Sequence, residues 1–234
     1  MVAGLARRQA AAIVEARQQQ PFASMADFAR RTGVGQAAVA RLAKADAFSS
    51  LGRRRREALW ESLAQEKSTR PMPLLAGLDE QDEPLPLSLP TMDLEEEVFA
   101  DYGATGLSLK AHPVSFYRTA LAQCGVVPAK QLLKTAHNAR VCVAGIVLLR
   151  QRPSTAKGIT FVTIEDETGT ANLVVHQNTW ERFYAVARRS AGFFVQGRLE
   201  RKDAVVHVIV ERLEDLSARL REMKPLTAAS RDFR

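Results

Sequence analysis

The 234-residue sequence predicts a multidomain α+β chain, an all-α block followed by a five-stranded β-barrel. Three observations carry this expectation. Apolar residues recur at helical spacing over residues 7–19 and 36–47, both Ala-rich. From about residue 138 the pattern changes to alternating, β-branched runs. Between the two, Pro71, Pro73, Pro84, Pro86 and Pro90 are spaced so that no helix persists among them. The divisions expected are a helical domain over 1–70, an acidic, proline-rich linker over 71–101, a helical connector over 102–137, the barrel over 138–215, and a C-terminal helix and tail over 216–234.

In the helical block, Ser24 followed by Asp27 marks a helix start, with a short helix over Met25 to Arg31. Thr32-Gly33-Val34-Gly35 stops it before Gln36-Ala37-Ala38-Val39 resumes helical spacing. A Gly–apolar–Gly turn between two short helices is the helix-hairpin-helix pattern. Its glycines admit backbone conformations closed to other residues and let the main chain approach a partner. Val34 plugs the turn into the core, and N–H groups at the second helix start face a phosphate. Gly4-Leu5-Ala6 echoes the turn without its second glycine, which makes the hairpin tandem. The candidate contacts are Gly33, Val34 and Gly35, with charge from Arg41 and Lys44. The run Arg53-Arg54-Arg55-Arg56 reads either as a solvated face or as phosphate contact, and Trp60, at helical spacing with Leu59 and Leu63, reads as core.

In the second block, strands are expected over Arg140 to Leu149, Ile159 to Ile164, Ala171 to His176, Gly192 to Leu199 and Val205 to Val210. A helix over residues 177–189 separates the third strand from the fourth. Three strands, a helix and two strands is the order of an OB-fold, a barrel that binds oligonucleotides on strands 2 and 3 and on the loops joining strands 1–2 and 4–5. Both loops are basic: Arg150, Arg152 and Lys157 in the first, Arg201 and Lys202 in the second. Phe161 on the second strand offers either a stacking surface for a base or a core side chain. Phe193 and Phe194 are adjacent, so one points inward and the other outward.

The formal net charge of +7 is unevenly distributed. Residues 1–71 carry net +7, residues 72–101 carry −9 with no Lys or Arg, and residues 102–234 carry +9. Two basic blocks therefore flank an acidic bridge, which serves as solubilising charge or folds back on a basic face. A polyanion partner fits this pattern. No apolar run approaches the roughly 18 residues of a membrane span. The first residues lack an apolar signal core, which points to the cytoplasm.

The segment Pro21-Phe22-Ala23-Ser24-Met25-Ala26-Asp27-Phe28 resembles the C-terminal region of bacterial C-family DNA polymerases. So do Asp101-Tyr102-Gly103-Ala104-Thr105-Gly106-Leu107-Ser108-Leu109-Lys110-Ala111-His112-Pro113 and Gly158 to Gly169. The wording is similar to that of the error-prone, damage-inducible branch, over nearly the whole chain. The resemblance implies translesion synthesis after DNA damage, with a Y-family-like polymerase partner and a sliding clamp. It also implies that the catalytic palm and its Mg²⁺ lie outside this sequence, which opens inside the first hairpin as a fragment would. Gln81 to Leu87 has the outline of a clamp-binding peptide, interrupted by Pro84 and Pro86.

Neither catalytic nor metal-ligating residues are expected. Cys124 and Cys142 are too few for a disulfide scaffold, and His112, His137, His176 and His207 are scattered, without cysteines at ligand spacing. Glu165-Asp166-Glu167 reads as turn chemistry, and no Gly-x-Ser-x-Gly elbow is present. The chain is thus expected to bind and position single-stranded template and duplex DNA, needing no cofactor of its own. Two alternatives stay open: an RNA- or tRNA-binding barrel, since anticodon-binding barrels share the Asp-x-x-Gly turn, and a platform that recruits polymerase partners.

Overall fold

A computed structural model of the chain describes residues 2–64, 89–156, 158–202 and 205–223. Most of the proline-rich segment, the Gln81–Leu87 peptide and Lys157 therefore lie outside the described residues. The chain forms two compact units, Met1–Lys110 and Ala111–Arg234.

The first unit is helical, with α1 (Arg7–Gln19), α2 (Met25–Thr32), α3 (Gln36–Lys44), α4 (Arg55–Ala64) and α5 (Leu94–Thr105). Ser24 Oγ accepts the Asp27 N–H at 3.1 Å, so α2 begins where its capping residue stands. Met25, Phe28, Val34, Val39, Leu42 and Phe48 fill the core. Phe28 packs edge-to-face on Phe22 and Phe48 at 4.9 and 5.1 Å. Arg31 closes the C-terminal end of α1 by donating to the carbonyls of Pro21 (3.2 Å) and Gln20 (2.8 Å), its guanidinium over the Phe22 ring.

Helix α5 runs across the division expected at residue 101, because Asp93 and Glu96 cap it reciprocally: Asp93 Oδ1 accepts the Glu96 N–H at 2.8 Å, and Glu96 Oε2 accepts the Asp93 N–H at 3.2 Å. Its acids partner two members of the four-arginine run, Arg55 and Arg56. Arg55, only 6 % exposed, pairs with Asp101 and donates to the Glu97 carbonyl. Arg56 reaches Glu96 at 3.0 Å, and Arg53 reaches Glu61 at 3.3 Å. Ser108 Oγ donates to Asp101 at 2.7 Å, and Lys110 pairs with Glu97. Burial opposes the Asp101 charge, but hydrogen bonds from Ser108 and Arg55 hold its carboxyl below the usual carboxylate range. Arg55 and Arg56 are therefore tied to α5, while Arg53 and Arg54 stay exposed. Trp60 also departs from expectation: it is 54 % exposed, since α4 buries Ala58 and packs Leu59 against the core.

The second unit opens with 3₁₀ turns at Pro113–Tyr117 and Ala129–Lys134, with α6 (Arg118–Gln123) between them. The barrel strands follow: β1 (Arg140–Gln151), β2 (Thr160–Asp166), β3 (Gly169–Val175), β4 (Gly192–Lys202) and β5 (Val205–Asp215). Helices α7 (Gln177–Arg182) and α8 (Tyr184–Arg189) join β3 to β4, and α9 (Leu216–Met223) follows β5. The single expected helix over 177–189 is thus broken at Phe183. The strands close in the order β1-β2-β3-β5-β4, with β3 and β5 parallel. This is the OB-fold.

Alternation along the strands fills the barrel with Val143, Val162, Ile164, Leu173, Phe193, Val195, Leu199 and Val208. Phe193 and Phe194 do face opposite ways, yet both are buried. Phe194 points out of the barrel and is covered by Val114, Leu121, Val126 and Leu216. The Asp166 side chain, 2 % exposed, ties that covering to the strands. It accepts from Arg118 Nη2 (2.9 Å), the Ala129 N–H (2.8 Å), and the Thr168 N–H (2.8 Å) and Oγ1 (2.7 Å).

Candidate nucleic-acid interface

The helix starts of the first unit fall into two kinds. Helices α2 and α5 have a side-chain cap and acids in the first turn. Helices α1 and α3 follow the Gly4 and Gly33–Gly35 turns, have no acid in the first turn, and receive no side-chain bond from their N-cap residues, although Gln9 Oε1 accepts the Ala6 N–H of α1 at 3.1 Å. Their N–H groups and dipoles are left for an outside anion. Arg7 and Arg8 stand exposed in the first turn of α1, where the helix dipole disfavours cations unless a phosphate is present. Neither had been singled out from the sequence, although two arginines directly after a glycine turn are a readable sign.

The hairpin residues are placed as follows. Gly33 ends α2 at φ 62°, a conformation that disfavours any side chain, and Gly35 caps α3. Val34 is buried between them. Arg41 Nη1 donates to the Gly4 carbonyl at 3.0 Å, so it holds the first turn. Lys44 lies in the last turn of α3, about 12 Å along the axis from its start. There it lines a cleft of about 430 Å³ with Arg55, Leu59, Met92 and Ala104. The structure thus brings Gly33, Val34 and Gly35 together, turns Arg41 towards Gly4, and sets Lys44 apart.

On the barrel, two cross-strand rows cover the outer surface. One is Gln151, Phe161, Val174, Ile209 and Arg198; the next is Leu149, Thr163, Asn172, His207 and Glu200. Phe161 is 37 % exposed, and Thr163 Oγ1 donates to Asn172 Oδ1 at 3.1 Å. An aromatic and apolar row beside a polar row suits a base: a surface for its ring and hydrogen-bonding groups for its edge.

The basic loop residues divide. A bulge between Val147 and Leu149 reverses the alternation of β1, so Leu149 and Gln151 face out while Arg150 pairs with buried Val162. Arg150 accordingly closes α8: Nε donates to the Ala187 carbonyl at 2.9 Å, Nη2 donates to the Ser190 carbonyl, and the guanidinium lies 5.1 Å from the Phe193 ring centre. Burial lowers its pKa from the ordinary guanidinium value. Arg201 Nη2 likewise donates to the carbonyls of Leu132, Leu133 and Thr135 at 3.3, 2.8 and 3.0 Å, at the end of a 3₁₀ turn. Arg152 and Lys202 remain exposed. Two histidines are structural in setting: His112 Nδ1 accepts the Val114 N–H at 3.2 Å, and His137 Nδ1 accepts the Arg201 N–H at 3.1 Å. Among the described residues, no group of three His, Cys, Asp or Glu side chains could hold a metal ion, and no helix is long and apolar enough to cross a membrane.

Comparison with known proteins agrees with both folds. Residues 1–58 match the helix-hairpin-helix motif family, and residues 141–216 match the OB-fold nucleic acid binding domain family. The error-prone DNA polymerase of Rhodopirellula baltica is 49 % identical over 235 residues, covering 100 % of this chain and 20 % of that protein. That of Caulobacter vibrioides is 50 % identical over 202 residues, covering 85 % of this chain and 18 % of the relative. Over nearly its whole length the chain is homologous to error-prone DNA polymerases. It spans about one fifth of the length of the relatives it matches. On that stretch it carries a helix-hairpin-helix region and an OB-fold nucleic acid binding domain. Among solved structures, asparaginyl-tRNA synthetase from Pyrococcus horikoshii is 26 % identical, covering 39 % of this chain and 23 % of its own, at a TM-score of 0.33.

Proposed function

We propose that this chain positions DNA for an error-prone polymerase acting in damage-induced translesion synthesis and repair, and does no chemistry itself. The observation that carries the reading is the pair of acid-free helix starts behind the Gly4 and Gly33–Gly35 turns, of which that of α3 has no side-chain cap. They suit duplex phosphates, which are gripped without regard to sequence. Phe161, Arg152 and Lys202 suit a single-stranded template passing over the barrel, with Lys157 as a further cation. The polymerase body with its Mg²⁺, a Y-family-like polymerase and a sliding clamp are proposed partners on kinship alone.

The test is binding of the full chain to a fluorescent primed template with a single-stranded overhang, with tRNA as competitor. The expected result is salt-sensitive binding of the DNA that equimolar tRNA does not displace. Clear preference for tRNA would overturn the reading in favour of an RNA-binding barrel. Phe161→Ala is expected to weaken binding of the overhang by about 1–3 kcal/mol, the usual worth of one stacked base.

A further inference from the structure

We propose that the helical segment between β3 and β4 is a second contact for the phosphodiester backbone, formed by Arg182, Tyr184, Arg188 and Arg189. The proposal rests on the reading that the barrel binds nucleic acid, and it adds a surface that none of the expected residues occupies.

The segment is two-sided. Trp180, Phe183, Val186 and Ala187 pack against the barrel core, while Arg182, Tyr184, Arg188 and Arg189 are all exposed. Several arginines elsewhere are neutralised: Arg53, Arg55, Arg56, Arg118, Arg198 and Arg212 each face a carboxylate. Among the described residues, none of these three forms an ion pair. The one acid on the segment, Glu181, accepts instead from Gln177 Nε2 at 2.8 Å.

Aromatic groups fix two of the guanidiniums. Arg188 Nη1 donates to the Tyr184 hydroxyl at 2.6 Å and lies 5.8 Å from the ring centre. Arg182 lies 5.3 Å from the centre of the Phe183 ring. A planar guanidinium held beside an exposed phenol combines phosphate recognition with a stacking face, the pairing that single-strand binding uses.

Position supplies the second argument. The loop from β1 to β2 leaves the barrel at Arg150, which holds the Ala187 and Ser190 carbonyls of this segment. It returns at Gly158, where an added Cβ would lie 2.3 Å from the Gln177 side chain. Both ends of the loop bearing Arg152 thus touch the helices, and the three arginines extend its charge around that end of the barrel.

The experiment is fluorescence anisotropy of the full chain on a single strand and on a duplex, across a salt series. It compares wild type, the triple variant R182A/R188A/R189A, the charge-keeping R182K/R188K/R189K, and R152A/K202A. If all three arginines touch phosphates, the alanine triple lowers the slope of log K against log salt by about 2 on a single strand or about 2.7 on a duplex. The arm that shifts names the strand form, and the lysine triple should keep most of the slope. An unchanged slope for the alanine triple, in a wild-type protein that binds, overturns the proposal. Loss of slope in both triples, with a lowered unfolding midpoint, also overturns it by showing a structural role. Failure of the barrel reading would look different: R152A/K202A and Phe161→Ala would leave binding unchanged.

Discussion

Arg118 Nη2 stands 2.9 Å from Asp166 Oδ2, and through that contact α6 is bonded to the end of β2. Arg118 also grips Glu167, with Nε–Oε1 at 2.5 Å and Nη2–Oε2 at 2.9 Å. Those bonds to Glu167, ahead of the opposing effect of burial, raise the guanidinium pKa further. Asp166 receives a backbone N–H from Ala129 as well, so one carboxylate organises the whole approach to the barrel. The acid-rich turn that follows β2 is therefore a structural fastener.

Breaking that fastener should be costly. Asp166→Ala leaves the buried Ala129 N–H and the Thr168 N–H without their acceptor, while Arg118 keeps Glu167. A loss of about 1–3 kcal/mol is expected in urea unfolding of the full chain. A loss under about 0.5 kcal/mol would show that the contact is dispensable.

The second unit should weaken in mild acid. Burial pushes His112 below its ordinary 6.5, outweighing the attraction of Glu165, Glu167 and Asp166. The unfolded chain then takes up a proton near 6.5 and the folded chain only at lower pH. The stability from neutral His112 is full above 6.5 and is lost as pH falls below it. His112→Asn keeps an acceptor for the Val114 N–H, and should flatten the fall in urea midpoint between pH 7.5 and 5.5. An equal fall in both proteins would refute the assignment.

A methyl group at Gly197 has no room. Its Cβ would lie 2.2 Å from the Ile209 carbonyl oxygen, at the bulge where β4 shifts register on β5. Gly197→Ala should destabilise the barrel by about 1–3 kcal/mol, seen as a lower thermal midpoint. An unchanged midpoint would mean that the strands part there without strain.

The basic loop residues should separate by phenotype. Arg201→Ala uncaps three carbonyls and is expected to lower stability while leaving the salt slope of single-strand binding nearly unchanged. R152A/K202A should lower that slope by about 1.4 with little change in stability. A reversed pattern would place Arg201 on the strand.

Local order was legible in the sequence and long-range pairing was not. The Gly33-Val34-Gly35 turn, the Ser24 cap and the alternation of β2 are each set by neighbours within a few residues, and the structure places them where the spacing did. The pairing of Arg55 and Arg56 could not be read that way, because their acids lie on α5, beyond the proline-rich segment. Nor could Arg150: one extra residue in β1 turns it inward, and composition carries no sign of a bulge. Arg31, Arg150 and Arg201 share a further lesson. All three close the C-terminal ends of helical turns, so a count of cations overstates the charge offered to a polyanion.

The Arg55–Asp101 pair makes the first unit bipartite in sequence, with its last helix supplied from beyond the proline-rich segment. Dissection of the protein has to respect this. A fragment ending at residue 70 keeps the whole hairpin motif, yet strands a guanidinium that is only 6 % exposed in the intact unit. Such a fragment also loses the apolar packing of α5, whose Val98 is fully buried in the intact chain. The compact unit carrying both glycine turns runs through Lys110, well past residue 58 where the motif match ends.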